Sequence, residues 1–228
     1  TGKAFCYACS NVLFLIHYRS GGMKVAKIVF ISLYEPYWLG VQCLASYLLE
    51  KGHDVHLLCL KAGYIDLHPV LWKPVEEHHG YQMFSNNTLQ CMAIDAQRIS
   101  EREFALLAQE IERLGPDIIG LSARSMTDAL APRLVSVFKE GAPSALLVAG
   151  GHGPSLVPEH YLLSGFDVVV RGDGEEALLD LAENTGNIAR IRSLPNISTR
   201  SETGFIHNPL RAQTKNLDKY PYPLQERE

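Results

Sequence analysis

Short apolar runs recur along the chain, each bounded by turn residues, and amphipathic segments lie between them. Runs of this kind are typical of strands buried on both faces of a parallel sheet. From Met23 onward the pattern predicts successive strands at Ala26–Ser32, Asp54–Leu60, Asp117–Ser122, Ser144–Ala149 and Phe166–Arg171.

The segments between these runs have the period of helices that pack one face on a sheet. Leu39, Cys43, Leu44 and Tyr47 share such a face, and Gly52 is suited to end that helix. Helices are predicted at Trp38–Lys51, Glu101–Leu114, Asp128–Glu140 and Glu175–Glu183. Strands and helices in alternation predict an α/β fold, a flavodoxin-like (Rossmann-like) doubly wound parallel sheet of five strands in the order 2-1-3-4-5.

Three regions depart from this alternation and suggest the domain organisation. Residues 1–22 are predicted to be an N-terminal extension, and residues 61–99 a long insertion without clear period inside the domain at 23–186. Residues 187–228 predict a small β-hairpin, with strands at Asn196–Arg200 and Phe205–Asn208, and then a proline-containing extended linker towards a further domain.

Charge and hydropathy exclude several partners. The net charge is −4 with a pI near 6.1, and lysine and arginine form no basic run, so nucleic acid is not an expected partner. No apolar stretch reaches the roughly 18–20 residues that a membrane-spanning helix needs. Without a recognisable signal peptide, the expected location is the cytoplasm.

The five cysteines predict neither a disulfide framework nor a metal centre. Their number is odd, and some fall in predicted strand or helix positions. Cys6 and Cys9 have the spacing of a metal-ligand pair, but no second pair follows. We therefore expect no metal ligands in this chain.

Two glycine-rich turns are the most informative local feature. Gly150-Gly151 follows the fourth predicted strand, and Gly172-Asp173-Gly174 follows the fifth. In open α/β sheets, ligands bind outside the carboxyl ends of the strands, where both turns would lie. Glycine lets the backbone approach a ligand closely because it has no Cβ. The sequence thus predicts a site for a large cofactor at this edge.

The order of these motifs resembles the N-terminal cobalamin-binding domain of cobalamin-dependent radical S-adenosylmethionine enzymes. The resemblance rests on IVFIS near the start, PDIIGLS, AGGHGPSLVPE and DVVVRGDGEEALLDL, and it spans roughly residues 24–228. It implies that the chain binds cobalamin as a module of a radical enzyme, with methyl transfer or related radical chemistry in the full enzyme.

A related comparison concerns the ligand of cobalt. Histidine-ligating cobalamin domains, such as that of methionine synthase, carry DxHxxG after the first strand. This chain has EPYWLG at residues 35–40, so Gly40 is kept but Tyr37 stands where the histidine would be. The resemblance therefore implies cobalamin bound base-off without a histidine ligand, as is common in the radical subgroup. The group facing the lower side of cobalt stays open, with Tyr37 and Arg124 the nearest candidates.

The expected cofactor-binding residues lie in four loops at one edge of the sheet. They are Leu33, Tyr34, Glu35, Tyr37, Gly40, Ser122, Arg124, Ser125, Gly150, Gly151, His152, Gly172, Gly174 and Glu175. Simpler readings exist for single residues. Asp173 and Glu176 have the spacing of a helix capping box, and His152 is suited to an exposed turn.

Catalysis by this chain alone is not predicted. Radical S-adenosylmethionine chemistry needs a CxxxCxxC motif for a 4Fe-4S cluster, and the cysteines here do not have that spacing. The cluster and S-adenosylmethionine would belong to a radical domain, in cis or in trans. The alternative is a flavodoxin-like regulatory or interaction domain that binds no cobalamin. A dinucleotide enzyme would want GxGxxG after the first strand, which is absent.

Overall fold

The computed structural model describes most of the chain at two levels of detail. Residues 26–33, 39–60, 99–123 and 129–224 are described with their side chains, and for five further strands only the backbone pairing is described. Those strands are Phe5–Cys9, Leu13–Tyr18, Ile65–Pro69, Gly80–Ser85 and Thr88–Ala96.

Strands and helices alternate as the sequence predicts. The strands are β1 (Phe5–Cys9), β2 (Leu13–Tyr18), β3 (Lys27–Leu33), β4 (Asp54–Leu60), β5 (Ile65–Pro69), β6 (Gly80–Ser85), β7 (Thr88–Ala96), β8 (Ile118–Ser122), β9 (Leu146–Gly150), β10 (Val168–Val170), β11 (Ile197–Ser201) and β12 (Gly204–His207). The helices are α1 (Leu39–Glu50), α2 (Glu101–Leu114), α3 (Ala131–Gly141), α4 (His152–Leu156), α5 (Pro158–Ser164), α6 (Glu175–Glu183) and α7 (Ile188–Ile191).

The larger sheet has the order β1-β2-β4-β3-β8-β9-β10-β11-β12. Its five central strands, from β4 to β10, pair in parallel. Numbered by their order among the predicted strands, they read 2-1-3-4-5, so the predicted doubly wound topology is confirmed.

Two hydrophobic clusters cover the two faces of the sheet. Helices α1 and α6 pack on one face, which includes Phe30, Val148 and Val170. Helices α2, α3 and α5 pack on the other face. None of the helices that the structure describes is long and apolar enough to cross a membrane.

Local signals explain both ends of α2. Ser100 and Glu103 form a reciprocal capping box at its start, and Gly115 ends it in the left-handed conformation. The capping box predicted at Asp173 and Glu176 is wrong. Helix α6 begins after Gly174 without a side-chain cap, and the Asp173 carbonyl accepts a hydrogen bond from Asn196 Nδ2.

The regions outside the alternation contain regular structure of their own. Strands β1 and β2 extend the large sheet antiparallel beside β4, although residues 1–22 gave no fold signal in the sequence. Strands β5, β7 and β6 form a separate three-stranded antiparallel sheet within the 61–99 insertion. The predicted hairpin is β11 and β12, and β11 pairs antiparallel with β10.

Residues 208–224, which we name the C-terminal strap, run from the hairpin back across α6 and α1. The Arg211 guanidinium pairs with the Asp180 carboxylate on α6, and Lys219 Nζ lies 3.0 Å from Glu176 Oε1. The ring of Tyr220 meets Tyr47 on α1 edge-on, with centroids 5.2 Å apart. The strap therefore links α1 to α6 across the outside of one helical layer.

The strap gives a first prediction about stability. Tyr220→Ala removes the aromatic contact with α1 and is expected to lower the free energy of unfolding by about 1 kcal/mol. The matched control is Tyr222→Ala, because the Tyr222 side chain is 91% exposed and only its carbonyl is bonded, to Ser46 Oγ. Urea unfolding measures the free energy of unfolding of both variants. Equal losses would show that the contact between Tyr220 and Tyr47 does not stabilise the protein.

A second prediction concerns pH. His53 is fully buried in the turn between α1 and β4, and burial lowers its pKa below the usual 6.5, with the Glu183 carboxylate opposing the shift. The unfolded chain then binds a proton more readily than the folded one, so stability falls as pH drops through about 6.5. Urea unfolding at about pH 7.5 and about pH 5.5 should show a smaller pH effect in His53→Gln than in the unmodified chain. If the stability of both chains changes equally with pH, His53 does not cause the pH dependence.

Candidate cofactor site

A cavity of about 230 Å³ opens at the edge where the glycine turns lie. It lies between the central sheet and helices α1 and α6. The central parallel strands all end at this edge. From the strand ends, the cavity extends inward along the face of the sheet that α1 and α6 cover. We call it the slot.

The slot has apolar walls and a mouth of glycines and polar groups. Apolar side chains come from the sheet and the two helices, namely Phe30, Val41, Leu44, Val148, Val170 and Leu178. Gly120 and Leu121 also line the slot from β8, and the Leu121 side chain packs on the opposite face of the sheet. The other lining residues, at the strand ends, the turns and the start of α1, are Gly40, Ser122, Gly150, Gly151, Gly172, Asp173, Gly174 and Glu175. The apolar walls suit a flat apolar group of a ligand, and the polar mouth suits a polar group attached to it.

Two of the lining glycines have room for a side chain among the residues that the structure describes. Within that part of the chain, a Cβ at Gly40 would have no neighbouring atom within 4 Å, and a Cβ at Gly150 would meet only Val170 at ordinary contact distance, 3.9 Å. Neither residue has a positive φ. Their missing side chains leave space open at the slot, which is the expected arrangement where a ligand approaches the backbone.

Gly151 has a different reason to be glycine. Its φ is +103°, and a Cβ there would lie 2.8 Å from the carbonyl oxygen of Ala123. Ala123 donates its N–H to the Gly150 carbonyl at 2.9 Å, and its own carbonyl accepts from Gly153 N–H at 3.3 Å. Gly151 thus lets the β9–α4 turn lie against the end of β8.

The two glycine turns are tied together by a serine. Ser155 Oγ donates to the Gly151 carbonyl at 2.8 Å and accepts from Gly172 N–H at 3.1 Å. One side chain therefore fixes the spacing of the turns that form one side of the mouth.

Asn196 stabilises the second glycine turn, at Gly172-Asp173-Gly174. Its Nδ2 donates to the Asp173 carbonyl at 3.1 Å, and its Oδ1 accepts from Arg211 N–H at 2.7 Å. It is 3% exposed with φ of +67°, a conformation that asparagine tolerates better than most residues. Sequence reasoning missed Asn196, since its partners lie far away along the chain.

Cys43 on α1 is a free, half-buried thiol. Burial raises its pKa, and the negative charge of Glu175 raises it further. The thiol is therefore neutral at physiological pH, which does not favour a role as a thiolate ligand or nucleophile.

The structure brings many of the predicted site residues together. Those that line the slot are Gly40, Ser122, Gly150, Gly151, Gly172, Gly174 and Glu175. Leu33 is buried at the end of β3 and His152 is exposed at the start of α4, and neither lines the slot. The predictions for Tyr34, Glu35, Tyr37, Arg124 and Ser125 fall outside the described residues.

Most of the apolar wall was not predicted from the sequence. Phe30, Val148 and Val170 were predicted to lie in buried strands without a cavity beside them. The available signal was limited to β9, where the two-residue period of a strand places Val148 and Gly150 on the same side of the sheet.

Comparison with known families gives a match over part of the chain. Residues 83–182 match the family profile described as the B12 binding domain. The match runs from β6 to α6 and includes both glycine turns of the slot. The resemblance to cobalamin-binding domains is therefore confirmed.

Two curated proteins are similar in sequence. An uncharacterized methyltransferase of Pyrococcus horikoshii is 27% identical over 123 residues, which are 53% of this chain and 27% of that protein. The anaerobic magnesium-protoporphyrin IX monomethyl ester cyclase of Cereibacter sphaeroides is 28% identical over 182 residues, 77% of this chain and 22% of the cyclase. The chain thus spans about a quarter of the length of these relatives.

Solved structures with the same fold include two radical enzymes. OxsB, a cobalamin-dependent S-adenosylmethionine radical enzyme with aqua-cobalamin bound, gives a TM-score of 0.61 at 17% identity, covering 88% of this chain and 24% of OxsB. The radical S-adenosylmethionine methyltransferase TsrM from Kitasatospora setae, with cobalamin and a 4Fe-4S cluster bound, gives 0.57 at 16% identity, covering 89% of this chain and 32% of TsrM. At these identities the likeness establishes the fold. The comparisons give no support to the alternative of a regulatory domain.

Proposed function

We propose that this chain is a cobalamin-binding module of a radical S-adenosylmethionine enzyme. The observation that carries the proposal is the slot, where a Cβ at Gly40 or Gly150 would meet few or no atoms of the residues that the structure describes. The glycine turns of the slot lie within residues 83–182, which match the B12 binding domain, whereas Phe30 and Gly40 precede that match.

The residues present fit cobalamin in two ways. The apolar walls from Phe30, Val148 and Leu178 suit the flat lower base of the nucleotide tail. The backbone of the two glycine turns can reach the amide-bearing rim of the corrin, because no side chains stand between. Bound cobalamin would supply the methyl-carrying chemistry, and this chain would bind and orient it.

A tail inserted in the slot implies that the lower base has left cobalt. Residue 37, where histidine-ligating domains carry their ligand, is tyrosine in this sequence. The described residues that line the slot include no histidine. We infer base-off binding without a histidine ligand.

Cleavage of S-adenosylmethionine would belong to a separate radical domain, in cis or in trans. The sequence lacks the CxxxCxxC spacing for a 4Fe-4S cluster, and the matched regions make up only 22–32% of the similar proteins. Residues 187–228 would lead towards that domain, and the full enzyme would be a methyltransferase or a related radical enzyme.

The direct test is to incubate the purified chain with hydroxocobalamin, desalt it and record the visible spectrum. The expected result is a retained corrin spectrum shifted to the base-off form. A folded, colourless protein would contradict the proposal. A retained spectrum of the base-on form would contradict insertion of the tail but not cobalamin binding.

A further inference from the structure

The inner end of the slot is lined by an aromatic ring, that of Phe30. Phe30 lies in the middle of β3 and is paired in register with Gly120 on β8. Counted from the strand ends, Gly120 and Val148 lie two residues inward of Ser122 and Gly150. Since a strand rises about 3.3 Å per residue, this inner end is about 7 Å below the mouth.

The position of the Phe30 ring depends on the absence of a side chain at residue 120. A Cβ on Gly120 would lie 2.8 Å from Cδ1 and 2.9 Å from Cε1 of the ring. On the other side of Phe30, the registered neighbour is the buried Leu57 of β4. The ring therefore lies over Gly120, and both residues line the slot.

The inner end also lacks polar partners. Its described lining is Phe30, Gly120 and Val148, and their backbone groups belong to the parallel ladder. The polar side chains that line the slot, Ser122, Asp173 and Glu175, come from the strand ends and the turn that follows. A group inserted to this depth would lose its hydrogen bonds to water without gaining any from these residues.

We propose that the Phe30 ring, seated on Gly120, selects the corrinoid by its lower base, favouring a bicyclic base of the benzimidazole type, which has one free ring nitrogen, over a purine. This rests on the proposed cobalamin binding and extends it to specificity. A purine carries ring nitrogens and an exocyclic amine that would be buried unpaired at this end of the slot. The Phe30 ring also limits how long a base can be accommodated.

The test measures affinities for three corrinoids: cobalamin, its adeninyl analogue, and cobinamide, which lacks the nucleotide. The unmodified chain should bind cobalamin about tenfold or more tightly than the adeninyl analogue, because burying unpaired polar groups costs at least that much. Gly120→Ala should displace the ring into the slot and weaken cobalamin binding about tenfold, while cobinamide binding stays unchanged.

A double variant separates the ring from general damage. In Gly120→Ala with Phe30→Val, the δ and ε carbons that would meet the new Cβ are gone, so much of the cobalamin affinity should return. Thermal unfolding of each variant shows that it is folded. Equal affinities for cobalamin and the adeninyl analogue, equal losses for cobalamin and cobinamide in Gly120→Ala, or no recovery in the double variant would overturn the inference. Failure of the unmodified chain to bind any corrinoid would instead contradict the proposed function and the inference together.

Discussion

Gly150→Val should abolish cobalamin binding while leaving the fold intact. The new side chain has room at its base, since among the described residues a Cβ at this position meets only Val170, at 3.9 Å. Its methyl groups would fill the mouth of the slot, where the tail must pass. We expect the dissociation constant to rise about 100-fold or more. Desalting followed by absorption spectroscopy, or titration calorimetry, measures the change.

The matched control is Ala105→Val, an exposed position on α2, on the opposite face of the sheet. It adds methyl groups of the same kind and should leave cobalamin binding unchanged. Both variants should unfold within about 0.5–1 kcal/mol of the unmodified chain. If Gly150→Val binds cobalamin normally, the tail does not pass this residue and the slot is not its site.

Gly151→Ala, unlike Gly150→Val, should cause a large loss of stability. The backbone at φ +103° is strained for any residue with a Cβ, and the Cβ would lie 2.8 Å from the Ala123 carbonyl oxygen. Such backbone strain costs about 1–3 kcal/mol, and displacing the Ala123 carbonyl adds to it. We expect the free energy of unfolding to fall by about 3 kcal/mol, measured by urea unfolding.

Gly40→Ala is the control with the same chemical change. Gly40 lies in the first turn of α1 with open space around a Cβ, so alanine should be neutral or slightly stabilising there. A similar loss of stability in both variants would mean that the strain at Gly151 is not the cause. Together, the three glycines separate residues needed by the fold from residues needed by the ligand.

The fold was largely predictable because its signals are local. Each central strand is a continuous apolar run, and helices α2 and α6 have the bounds that were predicted from periodicity and turn residues. The hairpin β11–β12 also followed from the turn at Glu202-Thr203-Gly204. The observed ends of β9 and β10 differ from the predicted ends by a few residues, because strand ends depend on pairing partners that periodicity does not reveal.

The glycine turns of the site could be predicted from the sequence. The side chains that form its walls and hold its turns could not. Gly150, Gly151 and Gly172 stand out in the sequence because they follow apolar runs. Phe30 does not, because an apolar residue in a strand looks the same whether it faces a helix or a cavity. Asn196 was missed for a related reason, since its two partners, Asp173 and Arg211, come from separate parts of the chain.

The strap shows the same limit. Prolines and polar residues in 208–224 suggested an extended linker, and the composition fits that reading. Its contacts with α6 and α1 depend on single pairs, such as Arg211 with Asp180, whose partners no local pattern identifies. Long-range pairs of this kind require the structure.

The central claim is that cobalamin binds with its nucleotide tail in the slot and its lower base away from cobalt. Electron paramagnetic resonance of cob(II)alamin bound to the purified chain tests this directly, because a nitrogen ligand below cobalt splits each line into three. We predict a protein-bound signal without that nitrogen splitting. A bound signal with the threefold splitting would show a nitrogen on cobalt and contradict the account, and so would the absence of any bound signal.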